Sequence, residues 1–160
     1  MAQIDLADAT IQLKDGGGHT LTIAIGEGNL HYTVARNVDI VLSRGILDTA
    51  RLGKQIPVDL TTSFVWEFIT ADTGDPPTIE DVLYNTGNAS SWTTVASDPD
   101  EPYCVNIELT YTPRCSIQKK EVLLFSRFHY TTLGHSLKDG VVDLQGKAII
   151  TEPTATRVSQ

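Results

Sequence analysis

Cysteine is scarce in this chain of 160 residues, in which Cys104 and Cys115 are the only two. Two cysteines are too few for a disulfide framework, and they come without the second CxxC or the histidine pair of a zinc site. We therefore expect free thiols. A disulfide between the two stays open if their strands face each other, although a cytoplasmic setting would disfavour it.

Long apolar runs are missing as well, since polar residues interrupt each hydrophobic stretch well before the roughly 20 residues of a membrane span. The first residues, Met1 to Asp5, also lack the basic and apolar regions of a secretory signal. We therefore expect a protein that folds and assembles in a cytoplasm and does not bind membranes. With 41% hydrophobic residues, positions 1–160 can form one domain with a sizeable core.

Basic residues are outnumbered, with 12 lysines and arginines against 20 aspartates and glutamates, for a formal charge of −8. This sign disfavours adhesion to phosphate backbones and to anionic membrane surfaces. Basic patches with interleaved aromatic residues are absent too. The composition therefore argues against a protein that reads nucleic acid directly.

Signals of catalysis and of bound cofactors are weak throughout. The four histidines have neither an HExxH pattern nor a carboxylate at ligand spacing, so we expect surface or half-buried side chains at His19, His31, His129 and His135. Gly26-Glu27-Gly28 lacks a P-loop lysine, and Ser136 lacks a nucleophile elbow. Five acids without the spacing of a calcium loop are expected to be solvated: Asp72, Asp75, Asp98, Asp100 and Glu101. The sequence predicts no catalytic, cofactor or metal site.

What the chain does have is a long alternation of apolar and polar residues from Leu30 to Ile69, which is typical of paired strands. Each arm exceeds the usual strand length of about five or six residues. We predict one very long β-hairpin with a protruding tip at 44–56, whose excess length contacts something else. The apolar faces would be Leu30, Tyr32, Val34, Val38, Ile40 and Leu42 on the first arm, and Val58, Leu60, Phe64, Trp66 and Phe68 on the second.

Shorter patterns on either side complete the predicted fold. Residues 9–25 form a second hairpin, and Thr78 with Asp81 resembles a capping box that begins one short helix ending near Gly87. A polar loop at 90–102 separates the helix from three further strands. These are predicted at 103–112, then as a strand with one face at Val122, Leu124, Ser126 and Phe128, and at 142–150. A patternless tail follows at 152–160. Six to eight strands and one flanking helix indicate a mainly β protein, an antiparallel sandwich or barrel.

Long strand edges and a protruding hairpin would leave a monomer open to stray pairing. In a ring, the edge strands of neighbouring subunits can pair, and a hairpin tip can dock on the next ring along an axis. The pattern therefore favours a protein that assembles with copies of itself.

Several segments resemble the tail tube (major tail) proteins of long-tailed, non-contractile bacteriophages. The similarity runs over most of the chain and consists of loose patterns without catalytic invariants. They are Arg36-Asn37-Val38, Arg44-Gly45-Ile46-Leu47-Asp48-Thr49-Ala50-Arg51 through Pro57-Val58, Phe64 with Trp66-Glu67-Phe68, Asp75-Pro76-Pro77-Thr78-Ile79-Glu80-Asp81, Glu101-Pro102-Tyr103, Thr112-Pro113-Arg114-Cys115, and Leu137-Lys138-Asp139-Gly140 to Gly146-Lys147.

The resemblance implies a β-sandwich or barrel with a flanking helix, assembled as hexameric rings that stack into a hollow tube for the genome. The protein would then be a structural component of the virion tail rather than an enzyme. Six copies would put 6 × −8 = −48 formal charges on each ring, and charges facing the lumen would repel DNA. Candidate lumenal acids are Asp39, Asp59, Glu67, Glu108 and Asp143, for each of which an outward, solvated position stays equally open.

The resemblance and the strand length together make the hairpin tip the predicted contact between rings. Its basic residues would meet acids on an adjacent subunit. The contact set is Arg44, Ile46, Leu47, Asp48, Arg51, Leu52, Lys54 and Ile56. The N-terminal arm, 1–7, and the tail, 152–160, are further candidates for straps between subunits.

By the same resemblance, the partners would be other copies of this chain and the tape-measure, tail-tip and tail-terminator proteins, while DNA passes without specific binding. Two alternatives stay open. One is another ring-forming component of a virion or secretion tube, such as a terminator or decoration protein. The other is a monomeric β-sandwich that binds carbohydrate, for which Trp92 in its polar loop is the suitable platform.

Overall fold

The computed structural model describes residues 9–23, 30–65, 77–112 and 119–159. They form a mainly β structure in which every strand pair is antiparallel, as expected. The strands are β1 Ala9–Lys14, β2 Thr20–Ile23, β3 Leu30–Thr33, β4 Val38–Ser43, β5 Ile46–Leu52, β6 Val58–Val65, β7 Val105–Tyr111, β8 Lys120–Ser136, β9 Val141–Ala148 and β10 Thr154–Val158. The helix α1 spans Ile79–Tyr84 and precedes a 3₁₀ turn at Gly87–Ala89. None of the described helices is long and apolar enough to cross a membrane.

The main sheet has the order β2-β1-β7-β8-β9-β6-β3, and β10 pairs with β8. The long strand β8 joins β7 over its first half and β9 over its second. Strand β7 pairs with one edge of the first half of β8, and β10 pairs with the opposite edge of that half. Strand β9 pairs with the second half. The sheet thus brings the two halves of the chain together in long-range ladders.

The core is formed by alternate side chains of the sheet strands and by one face of α1. The strands contribute Ile11, Leu13, Val58, Leu60, Phe64, Val105, Ile107, Phe125, Phe128, Val142, Leu144 and Ala148, and the helix contributes Ile79, Val82 and Leu83. Strands β8 and β9 approach so closely at Gly146 that a Cβ there would lie 2.3 Å from the His129 carbonyl oxygen. Glycine is therefore required at this position.

Helix α1 begins as its capping pattern predicts. The Asp81 N–H donates to Thr78 Oγ1 at 3.2 Å, and the Thr78 N–H donates to Asp81 Oδ2 at 3.3 Å, which completes the capping box. The helix ends at Tyr84, because Asn85 adopts a left-handed conformation.

Strand β8 departs from the predicted alternation. Val122, Leu124, Ser126 and Phe128 were expected to share a face, but the buried aromatic residues are Phe125 and Phe128, three positions apart. The cause is a bulge: Arg127 has φ +52°, and its N–H donates to Asn106 Oδ1 at 3.0 Å. One extra residue at the bulge moves the side chains after it to the opposite face.

Two further expectations are wrong, and several fall outside the described residues. The described residues hold ten strands rather than six to eight, because the alternation from 30 to 69 belongs to two strand pairs, and because β10 lies in the tail that was expected to have no pattern. The outlying positions are the N-terminal arm at 1–7, the Gly26–Gly28 turn, Trp66, Glu67, Phe68, Asp72, Asp75 and Cys115.

Candidate assembly interface

The segment predicted as one long hairpin consists of a base in the main sheet and a separate hairpin beyond it. Strand β3 pairs with β6 in the main sheet, whereas β4 and β5 form their own two-stranded sheet. At the junction the Gly53 N–H donates to the Asn37 carbonyl at 2.9 Å, and the Asn37 side chain donates to the Lys54 carbonyl at 3.2 Å. The chain therefore leaves the sheet and returns to it at almost the same point.

The predicted tip at 44–56 is not a loop. Its residues from Ile46 to Leu52 form β5, and the chain reverses at Arg44 and Gly45 alone, with φ values of +52° and +80°. Positive φ at both central residues defines the two-residue turn that matches the twist of paired strands. The turn was missed because an Arg-Gly pair is not the usual Asn-Gly signal.

One face of the β4–β5 hairpin is apolar and exposed. Val38 pairs with Leu52, Ile40 with Ala50, and Leu42 with Leu47, so these six side chains share a face. Their exposed fractions are high: Val38 42%, Ile40 58%, Leu42 56%, Leu47 75% and Leu52 75%. The alternation correctly marks an apolar face, but no other part of the described chain buries it. We call these six residues the apolar face.

The remaining residues of the predicted inter-ring set lie around this face. Asp48 is the extra residue of a bulge in β5, opposite the step from Val41 to Leu42 in β4. Arg51 lies opposite Asp39. Arg44 is in the turn, Ile46 is on the other face with 72% exposure, Lys54 is exposed near the junction, and Ile56 is half-buried below it.

The segment that contains the hairpin and its base, residues 36–54, differs in net charge from the rest of the chain. Between positions 36 and 54 there are four basic side chains, Arg36, Arg44, Arg51 and Lys54, and two acids, Asp39 and Asp48, giving +4 − 2 = +2. Because the whole chain carries −8, the remainder carries −8 − 2 = −10. Between 38 and 52 the charges cancel, with Arg44 and Arg51 against Asp39 and Asp48 (+2 − 2 = 0), so the excess of +2 lies at the base of the hairpin, on Arg36 and Lys54. A basic hairpin base can attract the acidic body of a second copy.

The candidate lumenal acids do not form one uniformly negative surface. Asp59 accepts from Lys147 Nζ at 2.6 Å, and Glu108 pairs with Lys14 Nζ at 2.8 Å. Asp143 accepts a hydrogen bond from the Ser63 hydroxyl. Asp39 belongs to the hairpin, away from the other three on the main sheet. Local lysines thus offset two of the four described acids.

Three histidines have carboxylate partners that sequence spacing did not reveal. His19 Nδ1 lies 2.7 Å from Asp15 Oδ2, His129 Nε2 lies 2.8 Å from Glu101 Oε1, and His135 Nε2 lies 2.5 Å from Glu80 Oε1. Two of these contacts join residues far apart in sequence: Glu101 lies in the polar loop and Glu80 in α1, so only the tertiary fold brings them to His129 and His135 on β8. The expectation of surface or half-buried histidines is confirmed: His19, His31 and His135 are exposed and His129 is half-buried.

The Asp15 carboxylate is a buried junction between the first hairpin and the polar loop. Besides His19, it accepts from the Thr93 N–H at 3.0 Å. Burial by itself would raise the pKa of Asp15, but the hydrogen bonds from Thr93 and His19 outweigh it and hold the pKa below its ordinary value. Burial also raises the pKa of the nearby Tyr103 to about 12. This arrangement has the character of a structural tie.

Trp92 does not provide an exposed platform for a sugar. It is only 5% exposed and stacks on the His19 ring, with centroids 5.6 Å apart and planes at 15°. The specific residue that favoured a carbohydrate-binding protein is therefore part of the core.

A comparison with models of protein families finds no matching family, and a comparison with curated proteins finds no matching relative.

Proposed function

We propose that this chain is a tube-forming structural protein, the tail tube subunit of a long-tailed bacteriophage, in which stacked hexameric rings form the conduit for the genome. The observation that carries the proposal is the apolar face on a projecting hairpin. A monomer rarely presents so many adjacent exposed apolar side chains without a partner to cover them.

The charge distribution favours a second copy as that partner. The segment 36–54 carries +2, with the excess at the hairpin base on Arg36 and Lys54, and the rest of the chain carries −10, so attraction between unlike surfaces can guide one subunit onto the next. Outer edges that no described strand covers, on β2 and β3, offer a separate route for pairing within a ring. The hairpin and these edges are separate surfaces, and a stack of rings needs two separate kinds of contact, within rings and between them.

The test is electron microscopy of the purified protein over a concentration series, with a variant in which residues 38–52 are replaced by Gly-Ser. This two-residue bridge can span the gap, because Asn37 and Gly53 are already hydrogen-bonded to each other. Since β3 and β6 are unchanged, the variant should keep the main sheet.

Hollow tubes of regular repeat in the wild type, absent in the shortened variant, are the expected result. Single rings that never stack would instead indicate a terminator or decoration protein. A wild-type protein that stays monomeric at every concentration, even with a tail-tip nucleus added, would overturn the proposal.

A further inference from the structure

A group of three metal-binding side chain types lies away from the hairpin, where the polar loop meets β7 and β8. Glu101 is at the end of the loop, Cys104 directly precedes β7, and His129 follows the bulge in β8. One ligand atom from each, namely a carboxylate oxygen, the thiol sulfur and an imidazole nitrogen, lies within 4.8 Å of the other two. In the part of the chain that the structure describes, such a convergence is seen here alone.

The geometry points to a site for a divalent transition metal ion at Glu101, Cys104 and His129, and we propose Zn²⁺ as its occupant. Thiolate, imidazole and carboxylate together suit zinc, whereas Ca²⁺ and Mg²⁺ prefer oxygen ligands alone. The inference does not depend on the tube function.

The present distances are close to what a zinc ion needs. Tetrahedral bonds of about 2.0–2.3 Å place ligand atoms roughly 3.3–3.6 Å apart. Glu101 Oε1 is now 2.8 Å from His129 Nε2 and 4.0 Å from Cys104 Sγ. The third pair, Cys104 and His129, lies within 4.8 Å. Changes in separation between about half an ångström and about 1.2 Å would therefore admit the ion, with a water molecule as a fourth ligand.

The surroundings support the ligand set. Arg127 Nη1 holds the second carboxylate oxygen of Glu101 at 3.2 Å, which fixes the carboxylate as outer partners of metal ligands commonly do. One thiolate and one carboxylate carry −2, which equals the charge of the ion in magnitude, and Arg127 adds one positive charge at the outer side of the carboxylate. Cys104 is buried, while the side chain of His129 is 21% exposed, so the group is reached from one side.

The test uses the full chain with Cys115→Ser, which leaves Cys104 as the sole thiol. After treatment with a chelator, Co²⁺ is added and its absorption recorded, and Zn²⁺ affinity is measured by competition with a chromophoric chelator. We expect one ion per chain, a thiolate-to-cobalt charge-transfer band, and a thermal midpoint higher by about 5–11 °C at a 100-fold excess of Zn²⁺ over Kd.

Removing a ligand should weaken the affinity for Zn²⁺ at least 10–100-fold. Removing Cys104 should also abolish the charge-transfer band, because its sulfur is the source of that band. The variants are Cys104→Ser and His129→Gln, each checked for folding by circular dichroism. The matched control is His135→Gln, because it breaks a histidine–glutamate pair that lacks a thiol, and it should bind Zn²⁺ as the parent does. Absence of the cobalt–thiolate band in the folded parent, or equal loss of affinity in the control, would overturn the proposal.

Discussion

The sharpest consequence of the apolar face concerns Leu47 and Leu52, which are each 75% exposed in the subunit. Fully burying a leucine side chain contributes about 1.5–3 kcal/mol, so covering the exposed three-quarters would contribute about 1–2 kcal/mol for each. Exchanging both for asparagine should therefore cost about 3 kcal/mol per hairpin contact. That corresponds to a change of roughly 100-fold in the contact equilibrium.

We expect the Leu47→Asn/Leu52→Asn variant to need a protein concentration at least about 100-fold higher before tubes appear. The assay is light scattering over a dilution series, with electron microscopy of each sample. The isolated subunit should unfold within about 2 °C of the wild type, because exposed side chains contribute little to its stability. Because these side chains contribute little to the stability of the isolated subunit, a change in assembly with an unchanged unfolding temperature would be an effect on the contact and not on folding.

The control is Leu137→Asn, since this leucine is 87% exposed and lies in the turn after β8, away from the hairpin. It should assemble at the wild-type concentration. If the double variant also assembles at that concentration, or if the control is equally impaired, the reasoning about the apolar face is refuted.

Two other predictions concern the stability of the subunit. Gly146→Ala places a methyl group 2.3 Å from the His129 carbonyl oxygen and 2.5 Å from the Phe128 ring, so we expect a loss of about 3 kcal/mol and a thermal midpoint lower by about 6–12 °C in calorimetry. Because the pKa of Asp15 is lowered by bonds from Thr93 and His19, its contribution to stability is present above the unfolded pKa of about 3.9 and is lost as the pH falls through the lower, folded pKa. Urea unfolding across that range should show Asp15→Asn to have a shallower loss on acidification than the wild type.

The matched controls use the same substitutions where the surroundings differ. Gly134 lies in β8, the strand that pairs with β9, and a Cβ added there would meet no atom within 4 Å. Gly134→Ala should therefore change the thermal midpoint little. Asp100→Asn alters an exposed loop acid and should leave the acid limb of the stability curve as in the wild type. Equal effects at the test and control positions would contradict the assigned contacts.

Local chemistry made part of this fold readable from the sequence. The glycines after Asp15 mark the β1–β2 reversal, and Thr78 with Asp81 marks the helix start, because both signals act over a few residues. The alternation in β6 also places Val58, Leu60 and Phe64 in the core. Alternation identifies an apolar face, however, and does not reveal which chain covers it. That is why Val38 and Ile40 resemble core residues in sequence and lie exposed in the structure.

The rest depends on long-range pairing, which a single sequence does not encode locally. Arg127 has no feature that announces a positive φ, so the bulge and the burial of Phe125 could not be foreseen. The meeting of Glu101 and His129 requires that bulge as well as the β7–β8 pairing. The turn at Arg44 has a partial signal in the glycine that follows it. An Arg-Gly pair inside an alternating run deserves the same reading as Asn-Gly.

The hydrogen bond between Asn37 and Gly53 has a geometric consequence for how far the hairpin extends. Since the chain returns to its point of departure, the length of β4 and β5 can change without displacing the strands on either side. Adding two residues to each of the two strands would move the turn outward by about 7 Å, because two residues of antiparallel strand span that distance. The distance that the hairpin extends and the structure of the main sheet can thus change independently, because separate parts of the chain determine them.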